Sequence, residues 1–212
     1  MSASFNFSDP WLRFLNEVNP CEPQAIQAHR NQVAEGEALP DPMPEDESAF
    51  LGFLLRQLDV RLAVQVGGSA GYAALIAAEA VRHNAGPGGR VFTFSDTGDF
   101  TKTARSLWQS AGVESTINCD PSPARQGLND LALSGYEGRI DFVWIDRDVI
   151  VGLELYEQAL TILHTGGTLV FAGARSQTSG VQDIARFAHK DQRVRSVVST
   201  SGDGLLLITK TS

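Results

Sequence analysis

The stretch Leu62-Ala63-Val64-Gln65-Val66-Gly67-Gly68-Ser69-Ala70-Gly71-Tyr72 decides the fold of this chain. An apolar run ends in a glycine-rich turn, and strong helix formers follow it. Strand, glycine turn and helix form the opening unit of a doubly wound α/β sheet. Glycine lets the backbone approach a ligand, and a helix N-terminus offers free N–H groups. The Gly-Gly-x-x-Gly spacing departs from the dinucleotide pattern G-x-G-x-x-G, so the turn alone is also compatible with a connection that binds no ligand.

Composition limits the class of protein. A chain of 212 residues with 42% hydrophobic content predicts one globular domain with a sizeable core. The net charge of -8 argues against nucleic acid or an anionic membrane as a partner. No apolar run approaches the roughly 20 residues that span a bilayer, and no signal peptide is visible. Cys21 and Cys119 are isolated thiols, which fits a cytoplasmic location.

Strand and helix patterns alternate along most of the chain. Residues 1–40 are predicted to form an N-terminal helical extension, with helices over 11–18 and 23–35, and residues 41–212 the main domain. The predicted fold is α/β, with a doubly wound, mostly parallel seven-stranded sheet and an antiparallel C-terminal hairpin. The predicted strands cover 62–66, 90–95, 113–119, 140–145, 168–171, 194–199 and 205–209. The other predicted helices cover 45–58, 72–83, 100–110, 124–133, 152–163 and 181–189.

Polar side chains follow several of these strands. Ligands of open parallel sheets bind beyond the carboxyl ends of the strands, so these side chains are expected to share one edge with Gly67. Helix capping is a nearly equal explanation for Asp96 and Asp120, and Ser122 is a candidate cap for the next helix. For Asp146 a functional role is favoured over helix capping, because this residue follows an apolar strand and begins a loop rather than a helix. The set comprises Ser95, Asp96, Asp120, Asp146 and Asp148.

From about residue 42 to 210 the sequence resembles the small bacterial class I S-adenosylmethionine-dependent O-methyltransferases of the catechol and caffeoyl-coenzyme A type, which have a Rossmann-like fold. Four segments match in order and spacing: residues 64–72, residues 89–94, residues 140–148, and the pair 163–170 with 202–206.

The resemblance implies a site for S-adenosylmethionine. The glycine turn would hold the methionine part of the cofactor, and the end of the second strand the ribose. Asp120 would lie near the adenine, and Asp146 between the cofactor and the methyl acceptor. The expected cofactor-binding residues are Met43, Gln65, Gly67, Gly68, Ser69, Gly71, Tyr72, Ala73, Ser95, Asp96, Asp120 and Asp146.

The chain also departs from the family pattern. Gln65 stands where the family has glutamate, Ser95 where it has the ribose carboxylate, and Val149 where it has a lysine that helps to deprotonate the acceptor. Metal-dependent members bind a divalent cation through the Asp146 position and an Asp-Asn pair that is Ala172-Gly173 here. Mg²⁺ needs several oxygen ligands, so no metal is expected.

The leading prediction is methyl transfer from S-adenosylmethionine to an oxygen or nitrogen of a small molecule, without a metal and with Asp146 or Asp148 as base. The alternative is a methyltransferase-fold protein that acts as a binding module. Redox chemistry with NAD is disfavoured by the glycine spacing.

Three further expectations concern residues around this site. Arg147 and Arg175 either meet an anionic group or face solvent. The four histidines, His29, His83, His164 and His189, are expected away from the site. The resemblance implies a homodimer, and the apolar cluster Trp11, Leu12, Phe14 and Leu15 is expected to pack on the domain or on a second subunit.

Overall fold

The structure is a computed structural model that describes residues 10–19, 22–35, 43–68, 71–94 and 102–212. The α-helices in these residues are α1 (Pro10–Val18), α2 (Gln24–Ala34), α3 (Glu45–Gln57), α4 (Tyr72–Ala85), α5 (Lys102–Ser110), α6 (Ala124–Leu131), α7 (Leu153–Ile162) and α8 (Val181–Ala188). Gly86–Gly88 and Glu114–Thr116 form 3₁₀ turns, and Ala132–Tyr136 forms a π-helical turn. No helix in these ranges is both long enough and apolar enough to cross a bilayer.

The described strands form one seven-stranded sheet in the order β3-β2-β1-β4-β5-β7-β6. The five strands β1 to β5 are parallel to their neighbours in this group, whereas β7 runs antiparallel to β5 and β6. The predicted doubly wound sheet with an antiparallel C-terminal hairpin is therefore confirmed. The strands are β1 (Leu62–Val66), β2 (Arg90–Phe94), β3 (Ile117–Asp120), β4 (Ile140–Ile145), β5 (Leu163–Ala172), β6 (Val194–Ser199) and β7 (Leu205–Lys210).

Strand β1 lies at the point where the strand order reverses, because the chain moves from it to β2 and β3 on one side and to β4 on the other. Its last residue, Val66, pairs with Phe94 of β2 and Ile145 of β4, so these strands end at the same level. Parallel sheets bind ligands in the crevice at such a switch point. We call this edge of the sheet the rim.

Apolar side chains cover both faces of the sheet, as the near-continuous hydrophobic strands predict. Along β1 the side chains alternate: Ala63 packs in the core beneath α3 and α4, whereas Val64 and Val66 pack in the core on the opposite face. Gln65 lies two residues after Ala63 and therefore on the same face of the sheet, and it is 1% exposed. The strand that leads to the rim is thus fixed from both sides.

Two sequence predictions about strands are wrong in detail. β5 begins at Leu163, although a turn was expected at residues 165–167. Leu163 pairs with Ile140 and Thr168 with Phe142, so the residues between them bulge out of the ladder. Gly166 permits this with φ +95°, a conformation that L side chains rarely adopt. β3 begins only at Ile117, because a 3₁₀ turn occupies the three residues before it.

The expected helix cap at Ser122 is also wrong. The backbone N–H and hydroxyl of Ser122 both donate to Asp120 Oδ1, at 2.9 and 2.6 Å, and α6 begins after Pro123 without a side-chain cap. The Asp120 carboxylate therefore stabilises a local turn. The other predicted helices and strands are confirmed to within two residues wherever they are described.

The N-terminal helices differ in how they contact the rest of the chain. Ile26 of α2 is fully buried in the same core as Leu51 and Leu75, whereas Trp11 and Phe14 of α1 are 61% and 48% exposed. The predicted boundary at residue 40 lies outside the described residues, so it stays a prediction.

Candidate functional site

Backbone hydrogen bonds join three strands where they reach the rim. The Gly67 N–H donates to the Phe94 carbonyl, and the Asp146 N–H donates to the Val66 carbonyl, both at 2.9 Å. The glycine turn after β1 and the loop after β4 are thereby brought side by side, as the sequence predicted.

The turn requires glycine at three positions. Gly67, Gly68 and Gly71 have φ values of +79°, +71° and +75°, in the left-handed region. A Cβ on Gly67 would lie 2.4 Å from Val149 Cγ2, and one on Gly71 would lie 2.8 Å from Ala104 Cβ. Side chains of neighbouring elements therefore pack directly on the backbone of the turn, which lies just before the N-terminus of α4.

Gln65 supports this turn from below. Its Nε2 donates to the Gly67 carbonyl, and the residue is buried. Its Oε1 is buried without a hydrogen-bond partner among the described groups. Glutamate could not make the same donation, because an ionised carboxylate only accepts hydrogen bonds. The glutamine that stands in place of the family's glutamate thus makes a hydrogen bond that an ionised glutamate could not make.

Asp146 lies against the glycine turn with 14% of its side chain exposed. Its Oδ1 accepts from the Arg147 N–H at 2.7 Å, and its Oδ2 would be 2.6 Å from a Cβ on Gly68. Burial, reinforced by the negative charge of Asp148, raises the pKa of Asp146 to about 6. The carboxyl group therefore changes protonation close to neutral pH.

Asp148 is exposed, but its carboxylate turns back to the glycine turn. Both of its oxygens accept from the Gly68 N–H, at 3.1 and 3.2 Å. The backbone donor that a bound anion would use is therefore engaged by a side chain of the same protein.

A second group of charges lies at the rim, and we call it the carboxylate cluster: Arg147 with Glu47, Asp146 and Asp203. Arg147 Nη2 donates to Glu47 Oε1 at 2.8 Å, its Nη1 donates to Asp203, and its Nε lies 3.8 Å from Asp146 Oδ1. Arg147 is thus held by ion pairs within the protein, which corrects the expectation that it meets a ligand or faces solvent.

Glu47 is the most deeply buried acid of this cluster, with 0% exposure. Burial raises its pKa to about 7, although the charge of Arg147 opposes the shift. Sequence reasoning missed both Glu47 and Asp203. Glu47 is one of three acids in the first turn of α3, where acids are common for reasons of helix stability, so the pattern carries no sign of a buried role.

Met43, Tyr72 and Ala73, three of the expected cofactor-binding residues, are buried, and Tyr72 and Ala73 begin the helix that follows the turn. The Tyr72 hydroxyl is hydrogen bonded to Nδ1 of His29, which is 5% exposed. His29 therefore contacts one of the expected cofactor-binding residues, and the expectation that the histidines lie away from the rim stays a prediction. Burial of an imidazole by tertiary packing has no signature in a helix pattern.

Ser69, Ser95 and Asp96 lie outside the described residues. Arg175 is exposed. Gly173, with φ +77°, packs on Arg147, and a Cβ there would lie 3.0 Å from Arg147 Cβ. Within the described ranges no three His, Cys, Asp or Glu side chains are grouped so that they could hold a metal ion.

The sequence is similar to a known protein family over most of its length. Residues 17–211 match the profile of the O-methyltransferase family. A probable caffeoyl-CoA O-methyltransferase of Dictyostelium discoideum is 27% identical over 178 residues, covering 78% of this chain and 76% of that protein. A flavonoid 3',5'-methyltransferase of Vitis vinifera is 28% identical, covering 78% and 77%.

A solved structure shows the same fold. The O-methyltransferase TomG of Streptomyces achromogenes, in complex with S-adenosylmethionine, superimposes with a TM-score of 0.75 at 23% identity, over 95% of each chain. The resemblance stated from the sequence is confirmed by the family match, which covers most of the chain. The chain belongs to the O-methyltransferase family.

Proposed function

We propose that this protein transfers the methyl group of S-adenosylmethionine to an oxygen or nitrogen of a small molecule, without a metal ion. The observation that carries the proposal is the glycine turn at the switch point of a chain in the O-methyltransferase family. Its positive φ values, and its place directly before the N-terminus of α4, fit a turn that holds the methionine end of the cofactor.

We place the rest of the cofactor along the rim. Gly67, Gly68, Ser69 and Gly71 hold the methionine part, with Gln65 fixing the turn from below. Ser95 or Asp96 bonds the ribose, and Asp120 lies near the adenine. Met43, Tyr72 and Ala73, which are all buried, close the side of the site in this proposal.

When bound, the cofactor supplies an activated methyl group, and the protein must align the acceptor with it. Asp146 is the member of the carboxylate cluster that lies against the turn, and it is mostly ionised above its pKa of about 6, which is raised by burial and by the Asp148 charge. It is therefore suited to accept the proton of a phenol or an ammonium group, with Asp148 as the second candidate base.

The donor set does not fit a hard cation. Ala172 and Gly173 offer no side-chain oxygen, and the Asp146 carboxylate is already bonded to the Arg147 N–H and close to its guanidinium. Mg²⁺ prefers near-octahedral oxygen coordination. We therefore assign the acceptor's deprotonation to a carboxylate base.

Two measurements test this function. Isothermal titration should show binding of S-adenosylhomocysteine and none of NAD. Labelled S-adenosylmethionine should then methylate members of a panel of phenols and amines equally with chelator and with added Mg²⁺. Turnover that chelator abolishes and Mg²⁺ restores would contradict metal independence. Cofactor binding with no turnover in either condition would favour the binding module, which the valine at position 149 also favours.

We further propose a cytoplasmic homodimer. Trp11 and Phe14 stack at 5.5 Å between ring centroids on the exposed side of α1, and Val18 on the same helix is 58% exposed. An apolar surface of this kind is suited to contact a second subunit. Light scattering on the full chain should give twice the monomer mass, and Trp11→Ser with Phe14→Ser should reduce it. A wild-type monomer at micromolar concentration would exclude the dimer, and fractionation of the source cells tests the location.

A further inference from the structure

Helix α2 covers the side of Tyr72, the first residue of α4. The Tyr72 side chain is buried, its hydroxyl is hydrogen bonded to His29, and the Arg30 guanidinium lies 5.8 Å from its ring centroid. α2 itself has no residue at the rim. It therefore reaches the site only through the groups that it touches.

Arg30 makes the most constrained of these contacts. Its Nε and Nη2 donate to the two carboxylate oxygens of Glu22 at 2.5 and 2.6 Å. The same Nη2 donates to the Met43 carbonyl at 2.5 Å. The side chains of Arg30 and Glu22 are only 14% and 9% exposed, so these charge-assisted bonds are shielded from water.

The guanidinium thus links two parts of the proposed cofactor site. Met43 lies two residues before α3, and Tyr72 begins the helix that follows the glycine turn. Glu22 holds the planar guanidinium in one orientation, which lysine could not reproduce because its three donors rotate around one nitrogen and form no planar fork.

We propose that Arg30 is a positioning residue for the cofactor, which fixes the Met43 backbone against Tyr72 so that this wall of the site is formed before the ligand binds. The inference rests on the proposed function. A buried ion pair is a weak source of stability compared with apolar packing, and α2 already has Ile26 in the core to anchor it. If this wall of the site is ordered before the ligand binds, the entropic cost of binding is lower.

The test compares full-length variants by isothermal titration with S-adenosylhomocysteine and by thermal unfolding. Arg30→Met keeps the apolar stem and removes the donors, and it should weaken binding roughly 10- to 100-fold. Arg30→Lys keeps the charge and should recover part of the loss. Arg61→Met is the matched control, because Arg61 pairs with Asp59 at an exposed position at the opposite end of β1. It should bind like the wild type.

Kinetics separate positioning from general stability. Arg30→Met should raise the KM for S-adenosylmethionine while kcat and the KM for the acceptor stay near the wild-type values. A variant that binds S-adenosylhomocysteine like the wild type overturns the inference, whatever its melting temperature. If Arg30→Met does not fold, Glu22→Gln serves instead. This substitution keeps the hydrogen bond from Arg30 to the Met43 carbonyl but removes the charge that holds the guanidinium in place. It should weaken S-adenosylhomocysteine binding roughly 3- to 10-fold. Unchanged binding in that variant overturns the inference as well.

The two proposals fail in different ways. A wild-type protein that does not bind S-adenosylhomocysteine would contradict the proposed function itself. A wild-type protein that binds it, with equal binding by the Arg30 and Glu22 variants, would contradict only the role of Arg30.

Discussion

The glycine turn and the carboxylate cluster lie side by side at the rim, but they are built in opposite ways. The turn comes from neighbouring residues, 65 to 71, and works through backbone dihedrals and N–H groups. The cluster joins Glu47 and Asp203 to Arg147 across separations of 100 and 56 residues, and it works through charged side chains. The first depends on conformation that only glycine adopts readily, whereas the second depends on proton occupancy.

The largest expected effect is on the turn. Gly67→Val places a β-branched residue at φ +79°, where its Cβ overlaps Val149 and Asp148. We expect S-adenosylhomocysteine binding to fall at least about 100-fold by isothermal titration. Gly88→Val is the matched control, because a Cβ at Gly88 meets no atom within 4 Å. A folded Gly67→Val protein, checked by circular dichroism, with unchanged affinity would remove the turn from the site.

The cluster should respond to pH. The folded protein binds the Glu47 proton more tightly than the unfolded chain does, because burial raises this pKa from 4.5 to about 7. The contribution of Glu47 to the free energy of unfolding is therefore fully present below pH 4.5 and is lost as the pH rises towards 7. The loss is at most about 3 kcal/mol.

Glu47→Gln should remove this part of the pH dependence, measured by urea unfolding between pH 4.5 and 8. Asp183→Asn controls for the loss of one carboxylate, since Asp183 is exposed on α8. If the free energy of unfolding of Glu47→Gln falls with pH as steeply as that of the wild type, another group produces the pH dependence.

Gln65→Glu tests whether the turn needs its amide donor. The substitution restores the residue expected from the family but leaves the Gly67 carbonyl without the donor that Gln65 provides. We expect a loss of roughly 1–3 kcal/mol in the free energy of unfolding near pH 8. Gln158→Glu is the control, because its amide also donates to a backbone carbonyl, that of Arg125 at 3.2 Å. Equal stability of Gln65→Glu and the wild type would mean that the donor is dispensable.

The smallest effect is expected where the two regions meet. Asp148→Asn removes a negative charge from the Gly68 N–H and should tighten S-adenosylhomocysteine binding roughly 3- to 10-fold, because a ligand carboxylate no longer competes with it. The substitution should also lower the pKa of Asp146, although burial remains the larger cause of its rise. If Asp148 is instead the base, kcat falls sharply in this variant while binding stays unchanged.

The sequence was informative where neighbouring residues determine the structure. The apolar run of β1 and the glycines at 67, 68 and 71 predicted the strand and the turn that follows it. The pairing of Glu47 with Arg147 was not predictable, because nothing in a helix-terminal acid indicates which distant charge will reach it. The sequence of the β5 bulge predicts a turn instead, since two adjacent glycines are compatible with both.

The bond between Trp108 and the turn gives the molecule an internal optical reporter. The buried indole N–H donates to the Gly71 carbonyl at 2.9 Å, so the emission of this chromophore depends on where the turn lies. Trp11 is exposed, so replacing it with phenylalanine removes the emission of a solvent-exposed tryptophan without changing the core. Ligand binding at the turn should then change the emission of Trp108 above that of Trp144, the other buried tryptophan, with no label on protein or ligand.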